Sequence, residues 1–555
     1  MAHSWMTSDE ALNGSQWTTI QLSLASIAAV LVTAVVSTLA PYAFASSRPK
    51  NFPPGPPTVP FLGNLHLLPP TKAFTKFHEW TQTYGHIIGL KFGPTNVVIL
   101  NNYRDVQELL EKRSGIYSSR PENYIANTLI CPNDTHILFA PYAPGWKSLR
   151  KAVQALFVPR EIANMRSIQN AEATQTVHDL FHDPENYYEH IQRYTTAVIL
   201  ASVFGQRGEK FSSPKVQALY DVQNRFTALL EPGAAPPVDA LTFLKYVPEW
   251  CGGASWKRQA REIRRDQRAL YFRLMNETKE RMREGHGTGC FMEKLIENQE
   301  KSGLDDEHVA YLGGILMEAG SDTTSSTLLS FLLGIMQNPE ALKRVQEDVD
   351  RCCGTKRTPG PEDLENMPYV EACMNETLRW RPVAAGGIPH MLTQTDTYKD
   401  HVFPAGTMFF ANAWAIHHDE NEYEDPEKFV PDRWLGNKYG TKDFKGSNAN
   451  GATERSGGEQ RKITYSWGAG RRICSGQKLA ENSLRMVIAK IAWAFDVEKA
   501  PGQDTVDASP HSAYEGGFLI APKKFPVRIR PRSKDRMEVV EGEWEGLRSF
   551  YEGFS

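Results

Sequence analysis

The sequence lacks the features that mark several classes of protein. Its 62 lysines and arginines nearly balance 65 aspartates and glutamates, and the net charge of −3 excludes binding of nucleic acid through overall charge. Seven cysteines in 555 residues are too few, and odd in number, for a disulfide scaffold, so at least one thiol stays unpaired. The mean hydropathy of −0.44 excludes a polytopic membrane protein but permits one span. There is no internal repeat and no flavin or nicotinamide fingerprint.

One long uncharged run lies near the N-terminus. Residues 11–47 contain no charged side chain, and the apolar core at 20–40 has the ~20 residues that a helix needs to cross a bilayer. Acidic residues precede the run, and Arg48 and Lys50 follow it. This asymmetry predicts a lumenal N-terminus and transmembrane anchor over 1–47, with the rest of the chain on the cytosolic side of the endoplasmic reticulum membrane. A buried core helix is the disfavoured alternative.

Composition separates three further segments. Residues 48–70 combine a basic stop with the proline cluster at 52–57, which resists helix formation and predicts a stiff hinge. Residues 71–532 contain no long linker and predict one large domain, mainly α with small β-sheets. Residues 533–555 form an acidic tail whose apolar residues recur at helical spacing, which favours a terminal helix resting on its own domain over a partner-binding helix.

Helical periodicity and boundary signals, such as Asn338-Pro339, place individual elements. The predicted helices are 108–112, 146–156, 256–283, 305–337, 339–351 and 369–379. The strand-like runs are 86–100, 402–410 and 525–529.

The segment 467–476, Trp-Gly-Ala-Gly-Arg-Arg-Ile-Cys-Ser-Gly, carries the most informative chemistry. A cysteine thiolate such as that of Cys474 is a soft ligand for iron, and it needs nearby N–H donors and shelter from water. The three glycines allow tight turns that aim N–H groups at the sulfur. Arg472 can neutralise an anionic group of a cofactor, and Trp467 can pack against the thiolate. A structural cysteine in a glycine-rich turn is the weaker alternative.

This segment resembles the haem-ligand loop of the cytochromes P-450, the haem-thiolate monooxygenases. The family pattern is Phe-Gly-x-Gly-x-Arg-x-Cys-x-Gly, and the chain departs from it only where Trp467 replaces phenylalanine. The resemblance implies that Cys474 ligates the iron of haem b, with Arg472 and Trp467 also at the cofactor. It further implies a single large haem-thiolate monooxygenase domain behind an N-terminal transmembrane helix.

Two separated motifs resemble a structural cluster of the same family. Glu376 and Arg379 match its Glu-x-x-Arg pattern, and Arg433, in Pro-Asp-Arg-Trp, matches the element that completes the cluster behind the haem. The spacing alone is uninformative, because Glu280 and Arg283 repeat it where a solvated helix pair is the expected arrangement.

Residues 319–324, Ala-Gly-Ser-Asp-Thr-Thr, resemble the family's oxygen-binding groove on a long helix. Gly320 lacks a side chain, and an unsatisfied carbonyl nearby can hold water. Asp322 and Thr323 form an acid–alcohol pair that can relay the protons that dioxygen cleavage consumes. Simple solvent exposure is the alternative, and the apolar flanks disfavour it.

Three further residues match haem-binding positions of the family. Trp146 and Arg150 resemble the Trp-x-x-x-Arg pattern whose side chains reach the haem propionates. His390 follows Pro389 where the family places an arginine or histidine on a propionate. A surface histidine is an equally weighted alternative.

The resemblance implies a monooxygenase that uses dioxygen, an apolar substrate and electrons from an NADPH–cytochrome P-450 reductase on the same membrane. A basic face for that partner would comprise Lys147, Lys151, Arg461, Lys462 and Arg471. Substrate contacts would come from 117–139, 317–320, 383–388, Phe518 and Leu519.

Likeness of 412–419 to fungal members suggests a secondary metabolite, such as a polyketide or small aromatic, as the substrate. A haem-thiolate isomerase or dehydratase acting without a reductase is one alternative, which the Asp322–Thr323 pair disfavours. A non-catalytic membrane haem-binding protein is the other.

Overall fold

The computed structural model describes residues 21, 25–30, 33, 37, 45–231, 234–250, 253–442 and 461–554. Most of the predicted membrane anchor and residues 443–460 lie outside these ranges. Within the described part of the chain, no helix combines the length and apolar character that a membrane crossing requires.

The described residues are mainly helical. In chain order the α-helices are α1 (Ala73–Glu79), α2 (Thr81–Tyr84), α3 (Tyr103–Val106), α4 (Ser114–Tyr117), α5 (Pro144–Leu156), α6 (Pro159–His182), α7 (Tyr187–Phe204), α8 (Pro214–Leu230), α9 (Ser255–Arg283), α10 (Phe291–Glu297), α11 (Gln299–Ser302), α12 (Asp306–Met336), α13 (Pro339–Cys353), α14 (Pro368–Trp380), α15 (Ala413–His417), α16 (Gln477–Ala494), α17 (Lys534–Gly546) and α18 (Arg548–Glu552). Two π-helical turns are Gln107–Lys112 and Tyr124–Ile130. The 3₁₀ turns are Leu65–Leu67, Pro184–Asn186, Thr242–Tyr246, Leu364–Asn366, Pro431–Trp434 and Gly470–Arg472.

The β-structure is limited to short strands. They are β1 (Ile87–Phe92), β2 (Thr95–Leu100), β3 (His390–Met391), β4 (Asp396–Tyr398), β5 (His401–Phe403), β6 (Met408–Ala411), β7 (Phe495–Lys499), β8 (Tyr514–Glu515), β9 (Ala521–Pro522) and β10 (Val527–Pro531). The largest described sheet has the order β1-β2-β6-β3, in which β2 and β6 are parallel and the other pairs antiparallel. The remaining pairs are β10-β7, β4-β5 and β8-β9. The prediction of a mainly α fold with small sheets is therefore confirmed.

Helix α12 runs through the centre of the molecule and separates two large hydrophobic cores. It begins after Asp305, whose side chain caps it by accepting a hydrogen bond from the backbone N–H of His308 at 2.8 Å. Leu312 lies in one core, and Leu332 lies in the other. The polar segment 319–324 lies in the middle of the helix, between the part that packs in one core and the part that packs in the other.

The proline cluster packs against the body of the protein, whereas the sequence predicts a hinge between anchor and body. Its carbonyl groups find donors there: the N–H of Gly89 in β1 donates to Pro54 at 2.8 Å, and the amide of Asn64 donates to Pro56 at 3.0 Å. A Cβ on Gly55 would lie 2.1 Å from the Gly89 oxygen. Prolines lack N–H donors but keep carbonyl acceptors, and β1 and Asn64 satisfy these two.

The acidic tail is helical and rests on α6. Val540 of α17 is fully buried, and the hydroxyl of Tyr551 in α18 donates to the carbonyl of Ala171 at 2.8 Å. The guanidinium of Arg207 lies 3.4 Å from the centre of the Tyr551 ring. The helical spacing of apolar residues in the tail thus corresponds to a face that packs on the domain.

Candidate functional site

The loop before α16 turns through two glycines in the left-handed region. Gly468 has φ +75° and Gly470 has φ +57°. At Gly470 a Cβ would lie 1.9 Å from the Leu110 carbonyl oxygen, so no side chain fits there. The backbone N–H of Cys474 donates to the Trp467 carbonyl at 2.8 Å and closes the loop. These two glycines shape the loop, and the N–H of Gly468 donates to the Tyr465 carbonyl at 3.0 Å.

The sulfur of Cys474 lies at the N-terminus of α16. The backbone N–H groups of Gly476 and Gln477 act on it to lower the pKa of the thiol, as the sequence predicts for glycine 476. Burial raises the pKa of the Cys474 thiol, whereas those N–H groups and the Arg150 guanidinium oppose the rise. Cys474 is an exposed free cysteine, although the surrounding protein raises the pKa of its thiol. Its sulfur therefore borders space that a ligand can reach.

Helix α12 also borders open space at its polar segment. Ala319 is exposed although its neighbours Met317 and Glu318 are buried. One turn later the hydroxyl of Thr323 donates to the Ala319 carbonyl at 2.7 Å. This carbonyl therefore has a partner within the helix, which differs from the predicted unsatisfied group that holds water.

Gly320 serves close packing. A Cβ at this position would lie 2.4 Å from Cγ1 of Ile199 in α7. The missing side chain thus lets α12 and α7 approach each other, and the sequence does not reveal this because Ile199 is distant along the chain.

Asp322 and Thr323 are half-buried, so simple solvent exposure does not describe these two residues. Burial, and in second place the charge of Glu515, raises the pKa of Asp322 to about 6. Its charge in turn contributes to the raised pKa of Tyr188 and Tyr220, so the carboxyl lies toward α7 and α8. The hydroxyl of Thr323 bonds its own helix, and the two side chains do not bond each other in the described structure.

Three buried or half-buried arginines cluster beside the cysteine loop. They all donate to backbone carbonyls: Arg150 to Ile473 at 2.7 Å, Arg472 to Ser118 at 2.8 Å and Ala140 at 2.7 Å, and Arg120 to Pro389 at 2.6 Å. Among the described residues, no carboxylate forms an ion pair with any of the three, and this distinguishes them from the many paired arginines elsewhere in the chain.

The electrostatics of this cluster favour an anionic ligand. Burial and the neighbouring Arg150 lower the pKa of Arg472 to about 9. Burial and the Arg472 charge likewise lower the pKa of Arg120, and burial with the charges of both lowers that of His390. Buried cations without a counterion are costly, so the cluster suits a ligand with carboxylates. With the thiol of Cys474 next to it, the donor set fits haem b, which has an iron for sulfur and two propionates for the arginines.

The other predicted cofactor residues lie at this cluster in supporting positions. The indole N–H of Trp146 donates to the Ile137 carbonyl at 3.1 Å, and the Arg472 guanidinium lies 4.1 Å from the centre of its ring. Trp146 thus supports Arg472, and contact of its side chain with a propionate stays a prediction. Trp467 is half-buried against the large core that contains Leu332.

His390 is buried, so the alternative of a surface histidine is wrong. Its Nδ1 lies 2.8 Å from the Tyr117 carbonyl oxygen. A carbonyl only accepts, so Nδ1 carries the proton and Nε2 is the remaining polar atom of the ring.

Glu376, Arg379 and Arg433 meet in one buried cluster. Arg379 donates to both carboxylate oxygens of Glu376 at 2.8 Å, and Arg433 donates to it at 3.2 Å. Both members of the first pair are fully buried. Two further donors, the Trp434 indole at 2.9 Å and the Val430 backbone N–H at 2.8 Å, complete the carboxylate's shell.

The predicted basic face is smaller than expected. Lys147, Lys151 and Arg471 are exposed. Arg461 instead pairs with Glu422 at 2.6 Å, and Lys462 pairs with Glu111 at 2.5 Å. Their charges are compensated within the protein, and this excludes Arg461 and Lys462 from an open basic surface.

Two of the segments predicted to contact substrate, 117–139 and the one at Phe518, meet in an aromatic cluster. The ring of Phe139 stacks on Phe518 with centroids 6.2 Å apart and meets Phe226 edge-on at 6.1 Å. His136 lies 4.8 Å from Phe139, and burial lowers its pKa to about 3, so its imidazole is neutral. The side-chain amide of Gln223, one turn before Phe226 in α8, donates to the Glu318 carbonyl at 3.3 Å. This contact places the cluster beside the polar segment of α12.

Comparisons with known proteins agree with this geometry. The profile of the family described as Cytochrome P450 matches residues 53–529. The chain is 34% identical over 512 residues to the cytochrome P450 monooxygenase yanC of Aspergillus niger, covering 90% of this chain and 93% of that protein. It is 34% identical over 519 residues to the cytochrome P450 monooxygenase patH of Penicillium expansum, covering 93% and 96%. A zebra fish cytochrome P450 solved with progesterone has a TM-score of 0.67 at 23% identity over 84% of this chain and 100% of that one, a likeness that shows the fold alone.

Proposed function

The chain belongs to the cytochrome P450 family and is a monooxygenase that uses haem b, and from this premise we propose that it hydroxylates an aromatic secondary metabolite, such as a polyketide or a small aromatic compound. Electrons come from an NADPH–cytochrome P450 reductase. The segment at 20–40 anchors the protein in the endoplasmic reticulum membrane with the catalytic domain in the cytosol. The observation that carries the choice of substrate is the aromatic cluster of Phe139, Phe226 and Phe518 beside α12.

Haem b, when bound, supplies the activation of dioxygen and its transfer to carbon. Cys474 holds its iron through Sγ, whose negative charge the N–H groups of Gly476 and Gln477 stabilise. The Arg120, Arg150 and Arg472 guanidinium groups hold its propionates, because these groups have no carboxylate partner among the described residues.

Two side chains of α12 are proposed to move protons. A carboxyl group with a pKa of about 6, such as that of Asp322, takes up and releases a proton readily near neutral pH. The Thr323 hydroxyl lies beside the exposed Ala319 and can rotate from the Ala319 carbonyl toward the open space. This pair supports oxygen activation over an isomerase or a dehydratase, which has no need of delivered protons.

We expect Thr323→Ala and Asp322→Asn each to lower product formation by about 10²-fold, in the range typical for loss of a general acid. The measurement is product formed per NADPH consumed with reductase present. Thr327→Ala is the matched control, because this threonine hydroxyl also bonds the helix backbone, at 2.9 Å to the Thr323 carbonyl, and we expect near-normal product yield.

Three results contradict the proposal in distinct ways. Unchanged turnover in Thr323→Ala removes the proton-delivery assignment. Turnover without reductase points to the isomerase or dehydratase. Absence of substrate-dependent NADPH consumption points to a non-catalytic haem-binding protein.

The proposals of a reductase partner and of a membrane anchor are both based on the distribution of charged residues. Lys147, Lys151 and Arg471 form an exposed basic patch on the side of the Cys474 loop, where an acidic electron donor would dock. Arg48 and Lys50 follow the uncharged N-terminal run and favour a cytosolic domain.

The aromatic cluster predicts a preference for flat aromatic ligands over saturated ones of equal ring number. We expect Phe139→Leu to lower the binding preference for naphthalene over decalin about two- to tenfold, because an aromatic pair contributes about 0.5–1.5 kcal/mol beyond area. Dissociation constants come from the spin-state change of the haem. Phe550→Leu, in the C-terminal tail, is the control, and an unchanged ratio in Phe139→Leu contradicts the aromatic assignment.

A further inference from the structure

Two histidines and a carboxylate join helix α6 to the C-terminal tail. His178 and His182 lie one turn apart on α6, and Glu541 of α17 faces both. The Nε2 atom of His182 lies 2.6 Å from one oxygen of Glu541, and the Nε2 atom of His178 lies 3.3 Å from the other. One ligand atom from each residue lies within 4.8 Å of the others. Ligand atoms around a tetrahedral ion are about 3.3 Å apart, so small side-chain movements suffice to surround one.

The ring of His178 is oriented from two sides. Its Nδ1 atom lies 3.5 Å from a carboxylate oxygen of Asp179, which favours the tautomer with the proton on Nδ1 and leaves Nε2 for a ligand. The indole of Trp544 stacks on the imidazole with centroids 4.1 Å apart and planes at 10°. A carboxylate behind a ligating histidine is a common arrangement at zinc sites, because it fixes the ring and raises its basicity.

We propose that His178, His182 and Glu541 bind Zn²⁺ and thereby fasten the C-terminal helices α17 and α18 to α6. Imidazole and carboxylate groups are suitable ligands for Zn²⁺, and three of them leave a fourth position for water. His182 is 56% exposed and Glu541 39%, so the ion has a path from solvent. The site lies on the outside of α6 and takes no part in the haem chemistry.

Zinc binding stabilises the docked tail because the ligands come from both partners. Glu541 reaches the two histidines only when α17 lies on α6, with Val540 buried and Tyr551 bonded to Ala171. An ion that binds only this arrangement shifts the equilibrium toward it in proportion to zinc concentration. The tail then responds to zinc, whereas two simple histidine–carboxylate ion pairs do not.

The test uses the full-length haem-loaded protein in detergent, with any affinity tag removed. Equilibrium dialysis against Zn²⁺, with elemental analysis, is expected to give one zinc per chain more than in Glu541→Gln and His182→Gln. Hydrogen exchange across 534–552 is expected to slow with zinc in the wild type and to stay unchanged in Glu541→Gln and His182→Gln. Asp179→Asn retains the ligands and is expected to bind about tenfold or more weakly.

A second histidine–carboxylate pair provides the matched control. His286 lies 3.8 Å from Glu284 on the surface without a third ligand, so His286→Gln is expected to bind zinc like the wild type. Equal zinc content in wild type and Glu541→Gln, or no slowing of exchange in the tail, overturns the proposal and leaves two ion pairs only.

Discussion

Replacing Cys474 with alanine is expected to abolish the thiolate-type Soret band of the reduced carbon-monoxide complex and to reduce monooxygenase turnover to background. This large effect is expected because the groups that stabilise a thiolate are all close to this sulfur. The N–H groups of Gly476 and Gln477, the end of α16 and the Arg150 guanidinium all stabilise negative charge at this one sulfur. An alanine leaves these donors in place and removes the group they surround. The measurement is the carbon-monoxide difference spectrum of the purified protein, with far-ultraviolet circular dichroism as the check on folding.

Another cysteine supplies the control for this substitution. Cys352 is a half-exposed free thiol in the last turn of α13, away from the loop, and Cys352→Ala is expected to retain both the band and the turnover. A thiolate-type band that persists in a folded Cys474→Ala protein would falsify the assignment of this residue as the iron ligand.

The second large effect is expected at Glu376, where Glu376→Gln should lower the free energy of unfolding by about 3–5 kcal/mol. The substitution keeps the size of the side chain but leaves the guanidinium groups of Arg379 and Arg433 buried without a countercharge. Since folded domains are stable by only about 5–15 kcal/mol, we expect poor yield of haem-loaded protein as well. Chemical unfolding followed by circular dichroism measures the first effect, and the ratio of haem to protein measures the second.

An exposed glutamate–arginine pair with the same spacing tests whether the loss of stability depends on burial or on the sequence pattern. Glu280 and Arg283 form an ion pair of 2.7 Å at the end of α9, with both side chains more than half exposed. Glu280→Gln is expected to change the free energy of unfolding by no more than about 0.5 kcal/mol, because water screens such pairs. Equal effects at Glu376 and Glu280 would remove the structural role assigned to the buried cluster.

The sequence predicts those helices best that carry their own boundary signals. Asn338 accepts a hydrogen bond from the Ala341 N–H at 3.2 Å, with Pro339 in the first turn, and the predicted and observed starts of α13 coincide. Helix α7 lacks such a signal in its pattern. Almost every residue of its second half is buried, so it shows no polar face from which a period of 3.6 is read. The position of α7 becomes clear only from the helices that pack against it.

The residues of the site also differ in this respect: short sequence motifs identify some of them, and only the folded structure identifies the others. The order of Glu376, Arg379, Arg433 and Cys474 along the chain identifies the family, because each motif is compact. Arg120 has no motif, since its partners are carbonyl groups at Leu138, Ile388 and Pro389, and its role appears only once the fold brings them together. The spacing of His178 and His182 is visible in the sequence, whereas Glu541 is 359 residues from His182.

The contact between Gly320 and Ile199 also constrains the order in which the two positions can change during evolution. An alanine at 320 would meet the isoleucine at 2.4 Å, so in the present background the isoleucine side chain or the central helix has to shift, at a cost of about 1–3 kcal/mol. If Ile199 first becomes a smaller residue such as alanine, the gap that it leaves accommodates a methyl group at 320. The substitution at 320 is therefore less costly after the substitution at 199 than before it. In laboratory evolution of this enzyme, variants at 320 are expected to be more frequent in lineages that already carry a smaller residue at 199.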